Sequence, residues 1–300
     1  GGDIIRGYAG LSDYYPPLYY LLEALVLSLF GDTQFLPLLA NLLGLFLLSF
    51  FTFRTAEKVM PPLAAVLTGL LVLMLPMVAW TSRVSLLDTG LAGWVMLAFY
   101  LIIRSEYFRH RKSALLLGLA SGAGVLCKWT FPFFLIVPVI YAIAISRERK
   151  RSLVNLGLAG VVGLALAATW YWPNAGILAE RIRMTAEAGT GLEMDPGLSS
   201  IWGWIYYLRC LSGYYLFLPL TLLFATALYR IGRDPGKEPV LRLTAAALAG
   251  SVAVMTVLQM KDPRYILPAA PFLAILLMAG WKDRPAWSLG VIPLLALVQM

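Results

Sequence analysis

The residues in this chain that could do chemistry are charged side chains at the ends of apolar runs. Asp13 sits in Ser12-Asp13-Tyr14-Tyr15-Pro16-Pro17-Leu18-Tyr19-Tyr20, a polar, turn-prone stretch ahead of a mostly apolar chain. Its two prolines stop a helix arriving from upstream and pre-set the first turn of one leaving. Asp13 is therefore expected in non-helical backbone, ringed by tyrosines. Arg83 and Asp88 bracket the start of another apolar run, and a spacing of five is poor for a helical i,i+4 pair. The alternative for Asp88 is an acid that complements a helix dipole. Lys128 stands in the turn Cys127-Lys128-Trp129-Thr130-Phe131-Pro132, where it either snorkels to headgroups or faces a site. Lys261-Asp262-Pro263-Arg264-Tyr265 sets two cations, an acid and a phenol in five residues, and its proline starts a helix whose N-terminus suits an anion.

Together these residues form a sparse ring, with carboxylates at Asp13 and Asp88 and cations at Arg83, Lys128, Lys261 and Arg264. Such a ring suits a lipid-linked phosphate as leaving group. A Ser–His–Asp set is excluded, because the single histidine, His110, lies in a basic loop. Cys127 and Cys210 lack metal-ligand spacing. No cofactor is implied with certainty, and an Asp-bound divalent metal ion stays open.

The elements that must hold this ring are helices in a membrane. The chain is 60% hydrophobic and 13% charged, with a mean hydropathy of +0.78, which reads as an all-α, polytopic transmembrane protein. Spans are expected at 35–53, 62–80, 86–103, 114–127, 131–146, 153–172, 214–230, 242–260, 264–281 and 286–300, about ten membrane segments. The short, glycine-rich 114–127 is either a span or re-entrant. Loops at 54–61, 104–113, 147–151, 230–242 and 282–285 hold 16 of the 24 Lys and Arg, so they are assigned to the cytoplasm and Asp13 to the exterior. The net charge of +8 accordingly suits a membrane surface and not nucleic acid. A single transmembrane domain over 1–300 is expected. Residues 1–34 form its first outer loop, with a short interfacial helix at Leu18–Phe30, and 173–213 forms a long outer loop. That loop's aromatics suit either an ordinary interfacial belt or a lipid- or sugar-binding platform. With no initiator Met, and an end inside an apolar run, the chain reads as a fragment lacking at least one N-terminal helix.

Four motifs then carry a resemblance: Tyr15-Pro16-Pro17-Leu18-Tyr19-Tyr20, Ser82-Arg83 through Leu87-Asp88, Gly124-Val125-Leu126-Cys127-Lys128-Trp129-Thr130, and Lys261-Asp262-Pro263-Arg264-Tyr265-Ile266-Leu267-Pro268. In this order they resemble the GT-C membrane glycosyltransferases of the family 39 type, which includes protein O-mannosyltransferases and lipid A aminoarabinose transferases. The resemblance implies a GT-C-like fold in a prokaryotic inner or plasma membrane and an external active site. It also implies a polyprenyl-phosphate sugar donor, a lipid, glycan or protein acceptor, and inversion at the anomeric carbon. That family places its catalytic acid upstream of the Pro-Pro-Leu element. With 15 residues before Pro16, that acid either lies upstream of the given sequence or has Asp3 or Asp13 standing in for it. Relatives often have His where Tyr15 stands.

Inverting transfer needs a carboxylate within hydrogen-bond reach of the acceptor hydroxyl, for which Asp13, Asp88 and Asp3 are the candidates. It also needs cations on the departing phosphate, a role for Lys261, Arg264, Tyr265, Lys128 and Arg83. Two other readings remain. A secondary transporter would show mid-bilayer charges and two similar halves, and a non-catalytic protein would bind lipid phosphate without transfer.

Overall fold

Proline and apolar runs together decide where the helices of this chain begin. In the computed structural model, residues 15–31, 35–188, 196–233, 238–258 and 260–299 are described; Asp3 and Asp13 lie outside them. α1 (Leu18–Phe30) has the bounds expected from sequence and follows Pro16-Pro17 directly. α2 (Leu36–Ala56), α3 (Pro62–Leu73) and α4 (Pro76–Thr81) each carry proline in the first turn, where the missing N–H is not needed. The run expected as one span at 62–80 is two helices. Leu75, ahead of Pro76, is extended (φ −67°, ψ 129°), as the residue before proline tends to be.

α5 (Leu87–Arg104) and α6 (Arg111–Cys127) follow. α6 is a continuous helix through the segment 114–127. A short 3-10 turn, Phe131–Phe134, precedes α7 (Ile136–Ile145), and α8 (Arg149–Tyr171) begins inside the basic loop. The segment expected as a long loop at 173–213 contains α9 (Ala175–Ala188) and α10 (Ile201–Cys210), and α10 runs through a π segment, Leu211–Leu216, into α11 (Phe217–Arg233). α12 (Pro239–Val257), a 3-10 helix Pro263–Ala269, α13 (Ala270–Ala279) and α14 (Ala286–Val298) complete the order. Every regular element among the described residues is a helix.

Five helices among the described residues are long and apolar enough to cross a membrane: Leu38–Ala56, Leu87–Arg104, Arg149–Tyr171, Ile201–Arg233 and Pro239–Val257. Several of the ten expected segments are shorter apolar helices, such as Pro62–Leu73 and Ile136–Ile145. α5 is the centre of the bundle: 78% of it is buried, against 28% of α8. It packs on α2, on α6 and on the 3-10 helix Pro263–Ala269. α2 and α5 run parallel, with Gly44 against Gly93 near one end and Phe51 against Tyr100 (ring centroids 5.2 Å apart) nearer the other. The backbones meet at the glycines, since a Cβ on Gly93 would lie 2.5 Å from the Gly44 carbonyl oxygen. Such small-residue seams are how helices approach closely where no hydrophobic force separates helix from lipid.

This parallel pairing gives the bundle two ends. The basic loops gather at one of them. Arg54 and Arg104 end α2 and α5 there, Glu106, Arg147 and Arg242 line one cavity, and Lys282 Nζ donates to Val59 O at 3.3 Å. Asp88 lies at the other.

Candidate functional site

The start of α5 is held by one amide. Tyr19, on the first turn of α1, is 2% exposed and donates its hydroxyl to Asn41 Oδ1 at 3.2 Å. Asn41 Nδ2 donates in turn to the carbonyls of Ser82 (3.2 Å) and Val84 (3.0 Å). The Pro-Pro-Leu element, α2 and the turn before α5 are thus stitched at one buried point. α6 arrives beside them and stops: its C-cap, Lys128, is extended (φ −155°, ψ 134°). The absent side chain of Gly90 makes room, because a Cβ there would lie 3.2 Å from Cys127 Sγ.

Lys128 is thereby delivered to Asp88. Its Nζ lies 2.7 Å from Asp88 Oδ1, and the two side chains are 6% and 3% exposed. The ammonium also lies over two aromatic rings, 5.0 Å from the centroid of Tyr265 and 5.9 Å from that of Tyr15. Asp88 occupies the first turn of α5 without capping it, so the helix dipole accounts for only part of its placement. A charge pair this dry is held strongly, since removing one partner strands the other in low dielectric.

The 3-10 helix Pro263–Ala269 brings the second cation. Asp262 caps it by accepting from the Arg264 backbone N–H at 2.8 Å. Arg264 Nε stands 3.0 Å from Asp262 Oδ2, outside hydrogen-bond alignment, with its guanidinium 5.5 Å from the Tyr265 ring centroid. Tyr215, fully buried, fixes this helix by donating to Pro263 O at 2.8 Å.

Asp88, Lys128, Tyr265 and Arg264 are therefore brought together. Lys261 is turned elsewhere: it is 2% exposed, and its Nζ donates to Thr256 O (2.8 Å) and Leu258 O (2.7 Å) at the end of α12, 6.0 Å from the Tyr207 ring centroid. A cation on the last carbonyls of a helix is a C-cap. Arg83 is exposed in the turn between α4 and α5, with no ion-pair partner among the described residues. Sequence reasoning put Lys128 and Asp88 in one ring without pairing them, and did not single out Asn41 or Tyr215. A lone amide in Leu38-Leu39-Ala40-Asn41-Leu42-Leu43 was the available signal for Asn41.

No group of three His, Cys, Asp or Glu side chains converges among the described residues. Asp88 spends one carboxylate oxygen on Lys128. Cys127 and Cys210 are both buried and unpaired.

The arrangement has relatives. ArnT from Cupriavidus metallidurans superposes in its apo state with a TM-score of 0.72 at 19% identity, over 92% of this chain and 51% of that one. Its structure bound to undecaprenyl phosphate gives 0.69, also at 19% identity, over 93% and 52%. The Archaeoglobus fulgidus oligosaccharyltransferase gives 0.53 at 14% identity, over 95% and 43%. These likenesses show the GT-C fold. In sequence, the undecaprenyl phosphate-alpha-4-amino-4-deoxy-L-arabinose arabinosyl transferase of Yersinia pestis is 28% identical over 236 residues, 73% of this chain and 40% of that protein. Its Yersinia enterocolitica counterpart is 26% identical over 273 residues, 85% and 47%. The chain thus spans less than half the length of these curated relatives. The pattern of the dolichyl-phosphate-mannose-protein mannosyltransferases matches residues 15–172, more than half of the chain and the whole of the Tyr15, Asp88 and Lys128 constellation. With that match and the fold in agreement, this chain belongs to the dolichyl-phosphate-mannose-protein mannosyltransferase family.

Proposed function

We propose that the chain is the membrane domain of an inverting glycosyltransferase, which moves a sugar from a polyprenyl-phosphate donor to an acceptor hydroxyl at the external face. The carrying observation is the buried Asp88–Lys128 pair beside Arg264 and Tyr265, in a fold shared with a protein crystallised with undecaprenyl phosphate. The basic loops gather at the opposite end, and the positive-inside bias supports reading the pair as lying on the outer side. Charges at a boundary, and not at mid-bilayer, also weigh against the transporter reading.

In the reaction, the acceptor oxygen attacks the anomeric carbon as the bond to phosphate breaks, and a carboxylate takes the acceptor's proton. One displacement inverts the centre. The phosphate departs with the bonding electrons, so its charge grows toward the transition state, where fixed cations act most strongly. Arg264 can hold two phosphate oxygens through parallel N–H groups, while Lys128 supplies a point charge from the N–H groups not spent on Asp88. Asp88 is tied to that ammonium, so its role is to position Lys128. The proton acceptor is assigned to Asp13 or Asp3. Sugar transfer from a polyprenyl-phosphate donor, measured in membranes for Asp88→Asn, Asp13→Asn and Asp3→Asn, tests this division. Asp13→Asn or Asp3→Asn should abolish turnover with donor binding kept, and Asp88→Asn should weaken donor binding as well. Full activity in Asp88→Asn would reject the site.

A further inference from the structure

The other end of the bundle holds a cavity that the proposed transfer does not use. It encloses about 450 Å³ and is lined by Glu106, Tyr107, Arg109, Tyr141, Arg147 and Arg242, among others. That volume is within the range of small-ligand sites. α5 separates it from Asp88 by about 25 Å, at 1.5 Å per residue.

Its charges are unequally committed. Arg109 is held between Glu106 and Glu148, at 2.7 Å from each. Glu106 also meets His110 at 3.1 Å, and Glu148 meets Arg151 at 3.2 Å. Glu238 stands at the N-cap of α12 without capping it. Arg147 and Arg242 have no carboxylate partner among the described residues, although both line the cavity and both are exposed. Two phenols, Tyr107 and Tyr141, share the lining with them.

The backbone beneath is strained toward this arrangement. Glu106, Tyr107 and Phe108 are three successive non-glycine residues with φ of 49°, 60° and 70°. Left-handed backbone of this kind persists only where its surroundings over-determine it, and it clusters at functional sites. Here Ser105 Oγ accepts from Phe108 N (2.9 Å), Ser152 Oγ donates to Tyr107 O (2.8 Å), and Asn155 Nδ2 donates to Phe108 O (2.7 Å) and Arg109 O (3.1 Å). Phe108 is fully buried, while Tyr107 and Arg109 on either side of it reach the cavity wall. A plain connection between α5 and α6 needs none of this.

We propose that this cavity is a second anion site, binding a phosphate-bearing group between Arg147 and Arg242 with the Tyr107 and Tyr141 hydroxyls as further donors. The chemistry is shared by an anionic phospholipid headgroup and by free phosphate. Basic pockets between membrane helices recognise lipid headgroups in this way.

The test compares the chain with Arg147→Gln/Arg242→Gln and with a control, Arg149→Gln/Lys150→Gln, which removes two charges of the same end outside the cavity lining. Each is placed in nanodiscs and its thermal unfolding is followed while phosphatidylglycerol is titrated into phosphatidylcholine. A parallel series adds inorganic phosphate to pure phosphatidylcholine discs. The cavity variant should lose about tenfold to a hundredfold in apparent affinity for the stabilising probe, and the control should keep it. Selective loss with phosphatidylglycerol supports a headgroup; selective loss with inorganic phosphate supports the free anion. Equal loss in the control reduces the effect to general surface charge and overturns the proposal, as does no loss in the cavity variant. Should the glutamine variant not fold, Arg147→Lys/Arg242→Lys replaces it. It keeps the charge but not the paired N–H geometry, and an undiminished affinity again overturns the proposal.

Discussion

The two ends of α5 handle charge in opposite ways. At its start, one carboxylate and one ammonium are buried together and walled by Tyr15 and Tyr265. At its finish, Glu106, Arg109, His110, Glu148 and Arg151 form a chain of contacts whose side chains are all about a third exposed or more. By number of contacts the basic end is the richer. By energy the order reverses, because water and salt weaken each exposed pair to about 0–1 kcal/mol. A single dry pair costs more to break, because removing one partner strands the other in low dielectric.

The comparison breaks or holds most visibly at Lys128. Lys128→Met leaves Asp88 buried without a counter-charge and should destabilise the protein by about 3–5 kcal/mol, read by thermal unfolding in detergent. Adding Asp88→Asn should restore much of that stability without restoring transfer. If Lys128→Met melts no earlier than Arg109→Gln, the distinction between the ends is wrong.

Arg264 and Lys261 come next. Arg264→Ala should lower donor-phosphate affinity by about tenfold to a hundredfold, the value of charge-assisted hydrogen bonds, and Arg264→Lys should recover part of it. Lys261→Met should instead act on stability, by loosening the end of α12, with a smaller change in affinity. A titration with polyprenyl phosphate separates the two, and equal affinity losses would return Lys261 to the phosphate.

Each end also has its own buried asparagine tying a turn, Asn41 at the pair and Asn155 at the basic loops. Either one changed to Ala strands carbonyls and should lose about 1–3 kcal/mol. Asn41→Ala should also slow transfer, while Asn155→Ala should not.

The smallest effects belong to the exposed network. Arg109→Gln should change stability by less than about 1 kcal/mol, and added salt should erase the difference. Glu106 is held below the usual carboxylate range by its hydrogen bond with His110, and Glu148 by those from Arg151 and Arg109. Groups depressed in the folded state stabilise it above their unfolded value, about 4.3 for Glu, and lose that contribution as pH falls through the folded value. Melting curves should therefore carry the network's full contribution above about pH 4.3 and lose it progressively as pH falls below that value.

What was legible in the sequence follows the same division between local and distant causes. α1 was readable residue for residue, because prolines before it and Gly31 after it are local signals. α5 was placed to within a residue at either end. The break at Pro76 was present in the sequence but was outweighed by an unbroken apolar run. The segment from Ile201 read as a loop because its aromatics suggested an interface, whereas Ser200 caps it as a helix that runs on toward Arg233. At the site, the right residue types were found but not their partners. Asp88 and Lys128 are forty positions apart, and a pairing of that range is set by how α5 and α6 pack. Lys261 shows the converse. Its placement at the boundary suggested a ligand, but the carbonyls that end α12 were nearer.

The forty-residue separation of Asp88 and Lys128 also has a consequence for biogenesis. The chain is made from Asp88 toward Lys128, so the acid reaches the membrane before its cation exists. An ionised carboxylate entering a bilayer alone is opposed by about 2.5–3.5 kcal/mol at the centre and by less near an interface. α5 also has the lowest hydropathy of the five long apolar helices, 1.4 against up to 1.8. It is thus the helix least able to settle in lipid by itself. α2, already made and offering its glycine seam, can receive it at once, and α6 then brings the counter-charge. Insertion of α5 and α6 is therefore predicted to be a joint event: a chain stopped between Asp88 and Lys128 should leave α5 poorly anchored.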